Sequence, residues 1–155
     1  MNNETEHILI VDDVLELSEY LSIVLKKWNY HPVTACNGQE ALEKFALYRP
    51  RFSIVDIGMP VMDGYEVARR LRALYPHDEF ALIALSGYGA RHDKVKAHES
   101  GFDLHLTKPA NLPELRQIID GYFNDPTQLD SRTKEQWAIL SAAASAIKVP
   151  ESRIL

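Results

Sequence analysis

The chain has one cysteine, Cys36, so no internal disulfide can form. No apolar run approaches the ~20 residues of a membrane span. No basic patch or polybasic helix is present. The formal net charge is -5, with 17 Lys and Arg interspersed among 22 Asp and Glu. This balance argues against nucleic acid and against a membrane surface as partners. The start, Met1-Asn-Asn-Glu-Thr-Glu6, lacks the basic and apolar regions of a signal peptide. The six histidines show no metal-ligand spacing, and there is no internal repeat or low-complexity tract. With a lone cysteine, a reducing cytoplasm is the expected setting.

What remains is a chain of 155 residues, the usual size of one domain, with 46% hydrophobic and 25% charged residues. Short apolar runs alternate with helical patterns. Ile8-Leu-Ile-Val11, Phe52-Ser-Ile-Val55 and Ala81-Leu-Ile-Ala-Leu85 read as strands buried on both faces. Residues 31–35 read as an edge strand, because Pro32 lacks an N–H. Leu104 and Leu106, flanking His105, mark a last short strand.

Between the strands, Leu17, Leu21, Val24, Leu25 and Trp28 put one face of a helix at 16–28 on the core. Asn37 is a candidate N-cap for a helix with Ala41, Leu42, Phe45 and Ala46 inward. A third helix carries Val67, Leu71 and Leu74 and ends at Pro76; a more polar one spans 90–99. A fifth runs from about 112 to 123 with Pro113 in its first turn. Five βα units imply a parallel sheet with helices on both faces. After Asn124-Asp-Pro126, Trp137, Leu140, Ala144 and Ile147 predict an amphipathic helix at about 132–147. The expected organisation is one domain over 1–124 and an extension over 125–155.

Three acids follow strand ends: Asp12 and Asp13 after the first run and Asp56 after the second. Ser86 and Lys108 follow two others. In a parallel sheet all five emerge at one edge, where ligands of such folds bind. Carboxylates brought that close repel one another, and a hard divalent cation resolves the conflict.

The phrases Ile-Leu-Ile-Val-Asp12-Asp13, Asp56-Ile-Gly-Met-Pro60, Met62-Asp63-Gly64, Ala84-Leu-Ser86-Gly87 and Leu106-Thr-Lys108-Pro109 resemble a response-regulator receiver domain. The likeness covers roughly residues 7–123, and two of the phrases look most like receivers of hybrid sensor kinases. It implies a flavodoxin-like, doubly wound α/β fold. The sheet would have five parallel strands in the order 2-1-3-4-5, five flanking helices and, here, an extra C-terminal helix. It implies Asp56 as phosphoacceptor and Mg2+ held by Asp12, Asp13, Asp56 and the Gly58 carbonyl. Lys108 and Ser86 would bind the phosphoryl group, and Pro109 would follow a cis bond. The implied partner is a histidine kinase or histidine phosphotransfer protein, and the receiver turns over no separate substrate.

The family's switch pairs the Ser86 position with an aromatic residue; here His105 stands there, a departure that makes the switch weaker or pH-sensitive. Gly58 and bulky Tyr88 predict slow self-dephosphorylation. The C-terminal helix could cap the domain, join two copies or be a linker. Two other readings stay open: a receiver-shaped interaction module that is never phosphorylated, and an aspartate-nucleophile phosphohydrolase. The second normally needs another acid two residues after the nucleophile, where this chain has Gly58. Met59 and Met62 read as packing, Asp63-Gly64 as a turn, and Cys36 as a small buried hydrophobe.

Overall fold

The computed structural model describes residues 6–87 and 91–146, with side chains described over 6–87 and 94–136. Five strands, β1 (His7–Val11), β2 (His31–Ala35), β3 (Phe52–Asp56), β4 (Ala81–Ser86) and β5 (Leu104–Thr107), form one parallel sheet in the order β2-β1-β3-β4-β5. This is the expected topology, with Pro32 on an edge strand as its missing donor requires. Helices α1 (Leu15–Lys27), α2 (Gly38–Tyr48), α3 (Gly64–Leu74) and α4 (Arg91–Ser100) make the four crossovers, and α5 (Leu112–Asn124) follows the last strand.

Strand side chains alternate between two cores. Ile8, Ile10, Phe52, Ile54 and Leu104 face α1 and α5; Leu9, Val11, Val55 and Leu82 face α2 and α3. Burying each such side chain contributes roughly 1.5–3 kcal/mol before entropy is counted. Both faces of the sheet are covered, which explains runs with no polar alternation.

Local chemistry sets the helix ends. Asn37, Asp63 and Asn111 each accept the backbone N–H three residues on, from Glu40, Glu66 and Glu114. Asn29 takes a left-handed φ of 68° after α1, and Gly101 one of 109° after α4. The Lys108–Pro109 bond is cis.

Several expectations need correction. Leu17, Ala46 and Leu74 were expected inward but are exposed. The buried stripes are narrower, running through Ser18, Leu21 and Leu25 on α1 and through Ala41 and Phe45 on α2. Leu74 lies beyond the last covered turn. Cys36 is half-buried and not a core residue; it sits in the loop before α2, where its thiol donates to Glu40 Oε2 at 3.0 Å. The last helix, α6 (Thr127–Ala146), starts five residues earlier than predicted. Asp125 Oδ1 accepts from Thr127 N and Oγ1 at 3.1 and 2.7 Å, at the start of this helix. The stripe from Trp137 to Ile147 lies outside the described side chains. α6 packs on α4, α5 and β5, and Leu129 enters the α5-side core.

Candidate functional site

Asp12 follows β1, Asp56 ends β3, Ser86 ends β4 and Lys108 lies one residue past β5. The parallel register brings all four, with Asp13, to one edge; Asp13, Asp56, Ser86 and Lys108 line an open cleft of about 450 Å3 there, and Asp12 pairs with Lys108 beside it. Asp12 and Asp56 are buried, at 2% and 6% exposure, while Asp13 is exposed. Carboxylate oxygens of these three acids lie within 4.8 Å of one another. An all-oxygen set of this kind suits a hard cation such as Mg2+.

Lys108 holds the cluster together. Its Nζ lies 3.2 Å from Asp12 Oδ2 and 3.3 Å from Asp56 Oδ1. The Gly58 N–H donates to Asp56 Oδ1 at 3.1 Å, and Val14 N–H to Asp12 Oδ1 at 2.9 Å. Burial pushes the Asp56 carboxyl above its usual range; the Gly58 N–H and Lys108 pull it back, and Asp12 pushes it up again. For Lys108 burial acts downward, but Asp56 and Asp12 outweigh it, and its ammonium is held above the ordinary value. The site is charged, compressed and incompletely compensated.

Ser86 is buried beside the cleft, and its Oγ lies 2.8 Å from His105 Nε2. His105 is 2% exposed. The histidine thus stands where the resemblance placed an aromatic and is joined to the serine by a hydrogen bond. Tyr88 lies outside the described residues. Met59 is buried and Met62 packs at the core edge, as expected of packing residues.

Gly64 has a role the sequence reading missed. A Cβ there would come within 2.6 Å of the Asp56 carbonyl oxygen and 2.7 Å of Ile57 Cα. The first turn of α3 therefore rests on the backbone that carries Asp56, and only glycine permits it. The one hint in the sequence was the Asp63-Gly64 pair, which equally suits a plain turn. Gly64→Ala is expected to destabilise the fold by about 1–3 kcal/mol, the usual cost of overpacking. A urea midpoint equal to wild type would contradict this contact.

The family profile described as the response regulator receiver domain matches residues 8–120. Sporulation initiation phosphotransferase F of Bacillus subtilis is 31% identical over 117 residues, 76% of this chain and 93% of that protein. A probable transcriptional regulator ycf27 of Pyropia yezoensis is 34% identical over 77% of this chain, which spans only 48% of the regulator. Among solved structures, the Saccharomyces cerevisiae complex of the histidine phosphotransfer signaling protein Ypd1 and the receiver domain of its downstream response regulator Ssk1 is similar. It matches with a TM-score of 0.68 at 29% identity, covering 73% of this chain and 85% of the matched chain.

Proposed function

Because the chain belongs to the response regulator receiver domain family of two-component signalling, we propose that Asp56 accepts a phosphoryl group from a partner's phosphohistidine. The observation that carries this reading is the buried Asp56 carboxylate, open to the cleft and bracketed by Asp12, Asp13 and Lys108. An Asp56 oxygen attacks phosphorus, the P–N bond breaks, and the donor imidazole leaves with the electron pair. Asp12, Asp13, Asp56 and the Gly58 carbonyl would hold Mg2+. When bound, Mg2+ neutralises the charge that would otherwise keep phosphate from three carboxylates. Lys108 turns its ammonium from the carboxylates to a phosphoryl oxygen, and Ser86 donates its hydroxyl to another.

The surface beside the cleft supports a protein donor. Val14, Leu15, Leu17, Tyr20 and Ile23 expose apolar surface on and before α1. Leu17 and Tyr20 line an apolar hollow of about 290 Å3 that reaches Asp12 and Lys108. A patch of this kind marks a protein contact, and a histidine kinase or histidine phosphotransfer protein is the partner that fits it. Among the described residues no helix is long and apolar enough to cross a membrane.

Intact-protein mass after exposure to acetyl phosphate and Mg2+ tests the proposal. A gain of one phosphoryl group, abolished by EDTA, is expected. An unchanged mass with both acetyl phosphate and a phosphorylated histidine phosphotransfer protein rejects it. Gly58 offers no side chain to orient water beside Asp56, so the phosphoryl group should persist for minutes or longer without a phosphatase. Decay within seconds would rule that out.

A further inference from the structure

His105 is bonded from two sides. Its side chain meets Ser86 Oγ at 2.8 Å, at the cleft. Its backbone is held by one side chain of α6: His105 N–H donates to Gln136 Oε1 at 3.1 Å, and Gln136 Nε2 donates to the His105 carbonyl at 3.1 Å. β5 is an edge strand, and the Gln136 carboxamide occupies the donor and acceptor that a sixth strand would take. Leu129 anchors the same helix in the core, and α6 lies on α4, α5 and β5 together.

We propose that α6 is an internal cap on the α4–β5–α5 face, clamped through Gln136 to the backbone of His105 and loosened when Asp56 is phosphorylated. The inference rests on the phosphoacceptor reading above. Ser86 has one hydroxyl proton. A phosphoryl group on Asp56 claims that proton as a hydrogen-bond donor and draws Oγ toward the cleft. The His105 ring is buried and bonded to Oγ, so it follows Oγ and pulls on the β5 backbone at the residue Gln136 holds. A shift of about 0.5 Å takes two 3.1 Å bonds beyond normal hydrogen-bond length. The surface under α6 then becomes available to a protein partner.

The test is amide hydrogen exchange of the full chain with Mg2+, with and without beryllofluoride as phosphoryl mimic. Residues 127–136 and the His105 amide should exchange about 5–10-fold faster with the mimic, at the lower end of the usual range of coupling between two sites. Bound mimic with unchanged or slower exchange overturns the cap and leaves the phosphoacceptor reading standing. No binding of the mimic overturns both.

Reciprocity supplies a second arm. Gln136→Ala, or Gln136→Met if alanine fails to fold, should bind beryllofluoride about 5–10-fold more tightly than wild type. Equal or weaker affinity overturns the proposal. In a His105→Ala background the gain should vanish, because the ring that carries the coupling is gone. A gain that survives there overturns His105 as the link.

Discussion

Replacing Asp56 with asparagine is expected to abolish phosphorylation and, at the same time, to stabilise the metal-free fold. The first effect is chemical, since a carboxamide has no anionic oxygen to attack phosphorus. The mass gain from acetyl phosphate should fall below detection. The second effect follows from electrostatics. Burial raises the pKa of Asp56 in the folded chain, opposed by the Gly58 N–H and Lys108 and reinforced by Asp12. A carboxyl with a raised folded pKa is harder to ionise folded than unfolded, so its ionised form works against folding at neutral pH.

Asp56→Asn removes that penalty. Thermal unfolding without metal should rise by roughly 2–4 °C, which corresponds to about 1 kcal/mol in a chain of this length. The gain should be full above the folded pKa of Asp56. It should shrink as pH falls through that value and vanish below the ordinary 3.8. Saturating Mg2+ should stabilise the wild type more than the variant. A variant less stable than wild type at pH 7 without metal would show that Asp56 is a net stabilising group.

Arg72→Ala is expected to be the most damaging single change considered, at about 3–5 kcal/mol. Arg72 on α3 meets Asp103 at 2.8 Å, with both side chains 11% exposed. It also donates to the carbonyls of Gly101, His77 and Phe80. Asp103 in turn accepts from the N–H of Leu82 at the start of β4. The pair ties α3 to the entries of β4 and β5, at the sheet edge opposite the cleft.

Burial lowers the Arg72 pKa and raises that of Asp103, and their attraction offsets only part of each shift. The pair therefore adds little net stability, while breaking it leaves the buried Asp103 with only the Leu82 N–H at 2.8 Å and the exposed His77 ring at 3.8 Å. The double variant Arg72→Leu/Asp103→Leu should recover more than half of the loss. Urea denaturation decides the matter: a loss below ~1 kcal/mol for Arg72→Ala would mean that Asp103 is solvated when alone.

Legibility in the sequence followed the range of each interaction. The order of β and α elements, the cap at Asn37, and the shared edge of Asp12, Asp56, Ser86 and Lys108 were all readable. Each depends on a local run or on the rule that parallel strands present their carboxyl ends together. The family phrases supplied the implied roles of those residues. The resemblance paired the positions of Ser86 and His105, but the hydrogen bond between them was not readable, because it joins residues 19 positions apart through a side-chain geometry that β4–β5 pairing creates. Gln136 and the Arg72–Asp103 pair escaped for the same reason, each spanning 31 positions. Leu17 and Leu74 misled because periodicity shows which face a residue lies on, but not how far the neighbouring element extends to cover it.

Pro32 and Gln136 have a joint consequence for the behaviour of concentrated protein. A parallel sheet has two rims, and each could recruit a strand from another molecule and begin a growing fibre. On the β2 rim Pro32 has no N–H to offer, and the outward carbonyl of Thr34 is already taken by Lys44 Nζ at 2.6 Å. On the β5 rim Gln136 fills the matching positions at His105. Strand addition is thus blocked at both ends, by a missing donor on one side and by side chains posing as backbone on the other. On the β2 rim the missing N–H of Pro32 is permanent, whereas the block made by Gln136 can be withdrawn without changing the covalent chain. Conditions that lift α6 should therefore be the ones in which this protein first becomes prone to aggregate.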